Sequence, residues 1–382
     1  MRVTHVRTTP LAVPFLDAHV TWMGAFSTKS TLLIEVFTDE GLVGLGEAPG
    51  VPFPDVVQIV VHEFEHLLRG MDPFDVLEFN RRCIGSQSWH RFRSLANYAL
   101  GGIDIALWDL AGKKLGQPLH RLLGGALRDR IDIYGWVPRK APDEMREDAR
   151  RFKEQGFGVL YAKVGLGVER DAADLAAIRE GAGYDVELRV DANGAWTPSQ
   201  AVREIRRLER FELSWVEQPV TEDDFDGFEH VRRSVGTPLC IDQGAQTNPL
   251  AYRAITRRLA DFICLDVHRM GGILPLKEMS ALAKEANIGV CRHAGPEYGI
   301  SSMAHLHVLA TLPNLTTGNQ TYGTMIVDDI VHEPTRAFEN GCLRVPDGPG
   351  IGVTLDPQKV AKYAEMYREM RKGHHLVAPP QA

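Results

Sequence analysis

The chain has 382 residues, of which 44% are hydrophobic and 24% charged. That is an ordinary globular composition, and it excludes disorder, a collagen-like repeat and a mini-protein. The length suits two or three domains, or one large barrel with an accessory domain. The formal charge of −7 offers no electrostatic footprint for nucleic acid or an anionic membrane surface. An anionic substrate would therefore need a local cation.

The first residues, Met1–Phe15, show no apolar run followed by a small-residue cleavage site, so no secretory signal is expected. No window approaches 18 uninterrupted apolar residues, so no membrane span is expected either. The five cysteines (Cys83, Cys240, Cys264, Cys291 and Cys342) are scattered and form no C-x-x-C pair. They argue against a disulfide framework or zinc site and point to a cytoplasmic protein. Cys240, Cys264 and Cys291 sit in apolar runs and read as buried strand residues.

The opening reads as a β-meander. Ser30–Phe37 is β-rich, Thr38–Gly41 is a turn, and Leu42–Glu47 is a second strand. From about residue 54 to about 123 the pattern turns helical, and Ala96–Leu115 carries apolar residues at a 3.6-residue period. Residues 1–125 are thus an α+β domain. Residues 126–325 change style. Short apolar runs recur at Ile131–Trp136, Val159–Val164, Glu187–Ala192, Ser214–Gln218, Pro238–Gln243, Phe262–Val267, Ile288–His293 and Leu315–Gln320. Amphipathic stretches such as Pro198–Arg210 and Leu274–Ala286 lie between them. Eight strands at intervals of roughly 23–28 residues predict an α/β fold with a closed (β/α)8-type barrel rather than an open doubly wound sheet. Residues 326–382 hold a turn-rich Val345–Gly352 and a helix over Pro357–Lys372. This C-terminal segment is expected to pack back on the N-terminal domain, with 373–382 frayed.

Barrel enzymes place their chemistry at the C-terminal strand ends. Here those ends carry Tyr161 and Lys163, Asp191, Glu217, Asp242, Asp266, and His293 in turn. The three middle carboxylates are 26 and then 25 residues apart, one βα unit each, so they converge on one rim. Like charges held close need a cation, and an all-oxygen set on a rigid frame suits Mg2+. Tyr161 and Lys163 share a strand face. A lysine beside a metal can act as a base. Asp266 and His293 are one unit apart, and the carboxylate can fix the imidazole tautomer. Lys163 and His293 then flank the metal from opposite sides.

The sequence resembles the enolase superfamily, in its mandelate racemase and muconate lactonizing branch, over nearly the whole chain. The resemblance rests on the order and spacing of Gly102–Gly112 (GIDIALWDLAG), Ala162–Gly165 (AKVG), Val190–Trp196 (VDANGAW), Trp215–Pro219 (WVEQP) and Met270–Gly272. It implies a modified TIM barrel with an N-terminal capping domain completed by the C-terminal tail. It further implies Mg2+ bound by Asp191, Glu217 and Asp242, a base at Lys163, and a His293–Asp266 dyad. In such relatives the metal binds the carboxylate of a small-molecule substrate, and loss of the adjacent proton gives an enediolate. A homo-oligomer is implied by resemblance only. Capping-domain loops at Leu16–Gly24 and Gly50–Pro54 stand where substrate-covering loops stand, which makes His19, Trp22 and Met23 candidate contacts. Asn193 at the third strand end is another, and Arg292, Glu297 and Tyr298 are placed near the same cavity.

Three departures bear on the reaction. Tyr161 stands where many relatives have a lysine that assists with the substrate carboxylate, and it is expected to replace that contact by a hydrogen bond. Gln243 stands where an acid is common. The eighth strand end offers Asn319 and Gln320, which can hydrogen-bond to substrate but not protonate an enediolate. Dehydration of an acid sugar or related hydroxy acid to a 2-keto acid is the favoured reading, with racemisation or epimerisation as the alternative. A non-catalytic acid-binding barrel is a third.

Overall fold

The computed structural model describes residues 1–22, 24–50 and 53–372. Met23, Val51, Pro52 and the tail from 373 lie outside them, and so do the expectations placed on those residues.

The N-terminal half-sheet is antiparallel, with β1 (Val3–Thr21), β2 (Gly24–Thr38) and β3 (Val43–Pro49) in that order. Gly41 holds φ +80° in the β2–β3 turn, a conformation glycine adopts without cost. Helices Pro54–Leu68, Val76–Ile84, Gln87–Arg91 and Arg93–Leu115 follow. The long fourth helix crosses β3 closely because two glycines allow it. A Cβ at Gly46 would overlap the Gly102 carbonyl oxygen, and one at Gly44 the Ala106 carbonyl. The apolar faces of this layer form their own core around Leu32, Ile34, Phe64, Phe79 and Ile103.

Parallel βα units come next. β4 (Arg130–Asp132) pairs antiparallel with β12 (Cys342–Arg344). β5 (Gly135–Trp136), β6 (Val159–Lys163), β7 (Glu187–Asp191), β8 (Leu213–Glu217), β9 (Leu239–Ile241), β10 (Phe262–Leu265) and β11 (Gly289–Arg292) form one seven-stranded parallel sheet in sequence order. It curls into a modified TIM barrel. Several of the helices between open on prolines or polar caps, as at Pro198–Leu208, where Thr197 and Gln200 form a reciprocal cap.

Two predicted strands differ. Ile131–Trp136 is divided, its first half pairing with β12 and only Gly135–Trp136 entering the barrel. Leu315–Gln320 is not a regular strand. Gly318 turns it with φ +62°, and isolated parallel bridges, Val290 to Leu315 and Ile133 to Asn319, close the ring on either side.

The cap and barrel are joined by buried polar groups. Glu47 on β3 accepts from the backbone N–H groups of Tyr298 (2.6 Å) and Ser301 (2.9 Å), at the start of helix Gly299–Leu309. Such orphan donors favour a carboxyl partner. Asp104 accepts from Ile273 N–H at 2.8 Å, and Asp109 from Leu45 and Ile351. The two aspartates of the 102–112 motif are therefore fold-holding groups. The helix Pro357–Lys372 returns to the cap, where Tyr367 Oη donates to Asp55 Oδ2 at 2.7 Å. Among the described residues, no helix is long and apolar enough to cross a membrane.

Candidate active site

Three neighbouring strand ends deliver the first group. Lys163, Asp191 and Glu217 are register partners across β6, β7 and β8, so their side chains leave the sheet on one face. Asp242 follows β9 directly. Its backbone N–H donates to Gln218 Oε1 at 3.0 Å, and that of Gly244 does so at 3.1 Å. Gln218 and Asn193 hold φ of 37° and 46°, left-handed conformations that carry strain in non-glycine residues. Each uses its side chain on a carboxylate-bearing strand end. Asn193 donates to both Asp191 oxygens, from N–H at 2.7 Å and from Nδ2 at 2.8 Å.

Asp191, Glu217 and Asp242 are buried and line one cavity of about 170 Å3. Lys163, Tyr161, His293, His19, Asn193 and Gln320 line it too, together with Lys29 and Tyr322, which sequence reasoning missed. Asp266 lies behind His293, with its Oδ2 2.5 Å from Nδ1.

Four other expectations are corrected. Tyr161 is turned to the floor, where its Oη donates to Asp191 Oδ2 at 2.7 Å. It is engaged by a carboxylate rather than open to a substrate. Asn319 is not on the cavity wall. Its Oδ1 accepts from Arg292 N–H at 2.9 Å, and its Nδ2 donates to Thr316 O at 2.9 Å, so the amide helps join the irregular eighth segment to β11. Trp22 is exposed and donates from Nε1 to Asn193 O at 3.0 Å, covering that loop from outside. Arg292 and Glu297 form a buried ion pair, and Tyr298 Oη donates to Lys29 O at 2.7 Å. These residues brace the wall behind the cavity.

A further cation was not anticipated. Arg269, three residues after Asp266, ion-pairs with Asp242 and places Nη2 2.8 Å from His293 Nε2. Its own N–H caps back onto Asp266 Oδ1 at 2.7 Å, which explains its direction. The signal available was an arginine one helical turn past a predicted dyad residue.

The electrostatics are those of a loaded floor. Burial and the charges of Asp191 and Asp242 drive the Glu217 carboxyl well above its usual range. Burial also works against the charge on Asp242, but Arg269 and His293 outweigh it and hold that group low. Asp266 behaves likewise, burial being overcome by His293 and Arg269. Above the floor, burial and the charge of Lys163 lower Lys29 to about 8, and burial with both lysines keeps His19 neutral.

Three buried carboxylates, one of them driven up by burial and by the charges of the other two, form a hard-oxygen set that a divalent cation would relieve. Gln243 Oε1, buried without a hydrogen-bond partner, adds an acceptor on the same wall. The residues therefore fit Mg2+. Below them, Cys240 and Cys264 are buried with their sulfurs 3.5 Å apart, and within 4.8 Å of a Glu217 oxygen. Burial pushes the Cys240 thiol up to about 12, so it stays protonated and is a poor ligand.

Residues 3–124 match the mandelate racemase / muconate lactonizing enzyme N-terminal domain, and residues 144–359 match the enolase C-terminal domain-like family. The chain belongs to the enolase superfamily, in its mandelate racemase and muconate lactonizing branch. Its relatives there are enzymes of several kinds. An arabinonate dehydratase of Saccharolobus solfataricus is 30% identical over 84% of this chain and 87% of its own. An N-succinyl-L-Arg/Lys racemase of Bacillus cereus is 26% identical over 93% and 96%. Among solved structures, a dipeptide epimerase of Enterococcus faecalis, complexed with Mg and L-Leu-L-Tyr, superposes with a TM-score of 0.86. It is 26% identical, covering 93% of this chain and all of that one.

Proposed function

We propose that the protein removes the proton adjacent to the carboxylate of a small acid, and that its reaction is dehydration of a sugar acid or related hydroxy acid to a 2-keto acid. One observation carries the reading. Lys163 and the Asp266-anchored His293 face the same small cavity from strands five places apart in the barrel, over a floor of three buried carboxylates.

Asp191, Glu217 and Asp242 would hold Mg2+, which when bound supplies Lewis-acid stabilisation of negative charge on the substrate carboxylate. Lys163 takes the α-proton at Nζ, and the C–H electron pair passes into the substrate. Asn193 and Tyr161 hold Asp191, and Gln218 holds Asp242, so the floor keeps its shape while charge moves. Protonated His293 then donates from Nε2 to the β-hydroxyl, and Asp266 stabilises the imidazolium. The C–O bond breaks with its electron pair, water leaves, and the enol tautomerises to the 2-keto acid. Gln243, Gln320 and Tyr322 supply polar wall groups suited to a polyol.

The same two proton carriers on facing walls favour a second reading. Where the substrate lacks a β-hydroxyl, His293 returns a proton to the opposite face and the result is epimerisation. Incubation with Mg2+ and a panel of sugar and hydroxy acids, assayed by NMR in D2O, separates the readings. Formation of 2-keto acid supports dehydration, and α-proton exchange without it supports epimerisation. Binding without either would leave an acid-binding barrel.

A further inference from the structure

Arg139 stands in the short connection between β5 and the helix Pro142–Glu154. Its side chain is only 7% exposed, and an arginine is rarely buried so far unless it is paired. The guanidinium is engaged on both edges. Nη2 donates to Lys163 O at 2.8 Å and to Asp171 Oδ1 at 2.7 Å, and Nε lies 3.0 Å from Asp174 Oδ2. Both aspartates are buried at the start of the helix Val168–Ala182. Between Lys163, the last residue of β6, and that helix the chain turns through residues 164–167. Gly165 holds φ 104° in this turn, so local preference alone does not fix its path. Asp171 fixes it from one side, its Oδ2 accepting from Gly165 N–H at 2.8 Å. Arg139 fixes it from the other, through the carbonyl of Lys163 itself.

The side chain of Lys163 is directed by its neighbours. It ion-pairs with Asp191, and Nζ lies 5.5 and 5.4 Å from the ring centroids of Trp136 and Tyr161. A flexible four-carbon stem separates that amine from the backbone, so its place over the floor depends on where the stem is rooted. A planar guanidinium can hold a carbonyl and a carboxylate at once, which a point charge cannot. We propose that Arg139 is a positioning residue: by holding the Lys163 carbonyl against Asp171, it sets where Nζ stands in the cavity. Arg139 is absent from the cavity wall and acts only through Lys163. This rests on Lys163 being the base, as given above.

Arg139→Lys tests it. The variant keeps the charge that Asp171 and Asp174 require, so the fold should survive, but it loses the fork. The kcat for α-proton exchange in D2O should fall about tenfold to a hundredfold, the cost of a misplaced reacting group, with KM and Mg2+ affinity within about twofold. Lys163 is also read without any acid. In protein grown on isotope-labelled lysine, its ε-methylene protons beside two ring faces should resonate upfield, assigned by their loss in Lys163→Met. In Arg139→Lys that signal should move toward the ordinary lysine position. Arg139→Gln with Asp171→Asn removes the pair together and should show the same two changes. Arg170→Met is the control, because it loses an ion pair to the same Asp174 (2.9 Å) without touching Lys163, and should leave signal and exchange as in the wild type. An unmoved Lys163 signal in Arg139→Lys overturns the assignment, and so does a rise in KM with kcat unchanged. Equal effects of Arg170→Met would make it general packing and overturn it too. A signal that moves in a protein whose wild type exchanges no acid would remove the proton-abstraction reading and leave the clamp on Lys163 standing.

Discussion

Arg269 Nη2 donates to His293 Nε2 at 2.8 Å, while His293 Nδ1 lies 2.5 Å from Asp266 Oδ2. A guanidinium has no acceptor, so Nε2 is the acceptor in this contact. The same guanidinium holds Asp242. One side chain thus links the dyad to the carboxylate floor.

Arg269→Met should therefore destabilise the protein by about 3–5 kcal/mol, because it leaves Asp242 buried without its partner. Mg2+ should restore part of that loss and raise the variant's Tm by more than it raises the wild type's. Thermal unfolding with and without Mg2+ measures both. Equal Mg2+ shifts would show that Asp242 takes no part in holding the ion.

Lys163 and His293 should separate the two halves of the reaction. Lys163→Met should lose α-proton exchange and product formation together. His293→Asn should lose 2-keto acid formation by about 10²–10⁴-fold while exchange in D2O and Mg2+ affinity persist. Unchanged turnover in either variant would remove that residue from the mechanism.

Gly46→Ala tests how the cap is built. The added methyl meets the Gly102 carbonyl of the long helix, and neither backbone can yield without moving β3 and Glu47 with it. A loss of about 1–3 kcal/mol is expected from overpacking, read as a lower denaturant midpoint. Wild-type stability would mean that the helix–strand approach is looser than this.

Glu47 should make stability depend on pH. Burial outweighs its two backbone donors and the neighbouring carboxylates add to it, raising the group from 4.5 to about 8. Between those values the folded chain holds a proton that the unfolded chain releases, so this contribution to stability falls as pH rises across that window. Glu47→Gln should flatten the fall in Tm between pH 5 and 8, and an identical slope in both proteins would refute the assignment.

The floor of the site was legible because a parallel βα repeat converts sequence spacing into angular position. Carboxylates 26 and 25 residues apart must sit on adjacent strand ends, and Lys163 and His293 fall on the same rim for the same reason. The family motifs were legible too, and Asp104 and Asp109 within one of them secure backbone N–H groups. Side-chain direction was not legible. Tyr161 and Asn319 stood at the right positions, yet one is spent on Asp191 and the other on barrel closure. Lys29, Tyr322 and Arg269 carried no periodic signal at all. Their places depend on how the cap docks against the barrel and on which buried charge each side chain must neutralise. Strand register follows from local pattern and connection length, and so the sequence alone determined the barrel and its carboxylate floor. Docking and charge pairing are contacts between residues far apart in the chain, and only the tertiary structure decided what faces that floor.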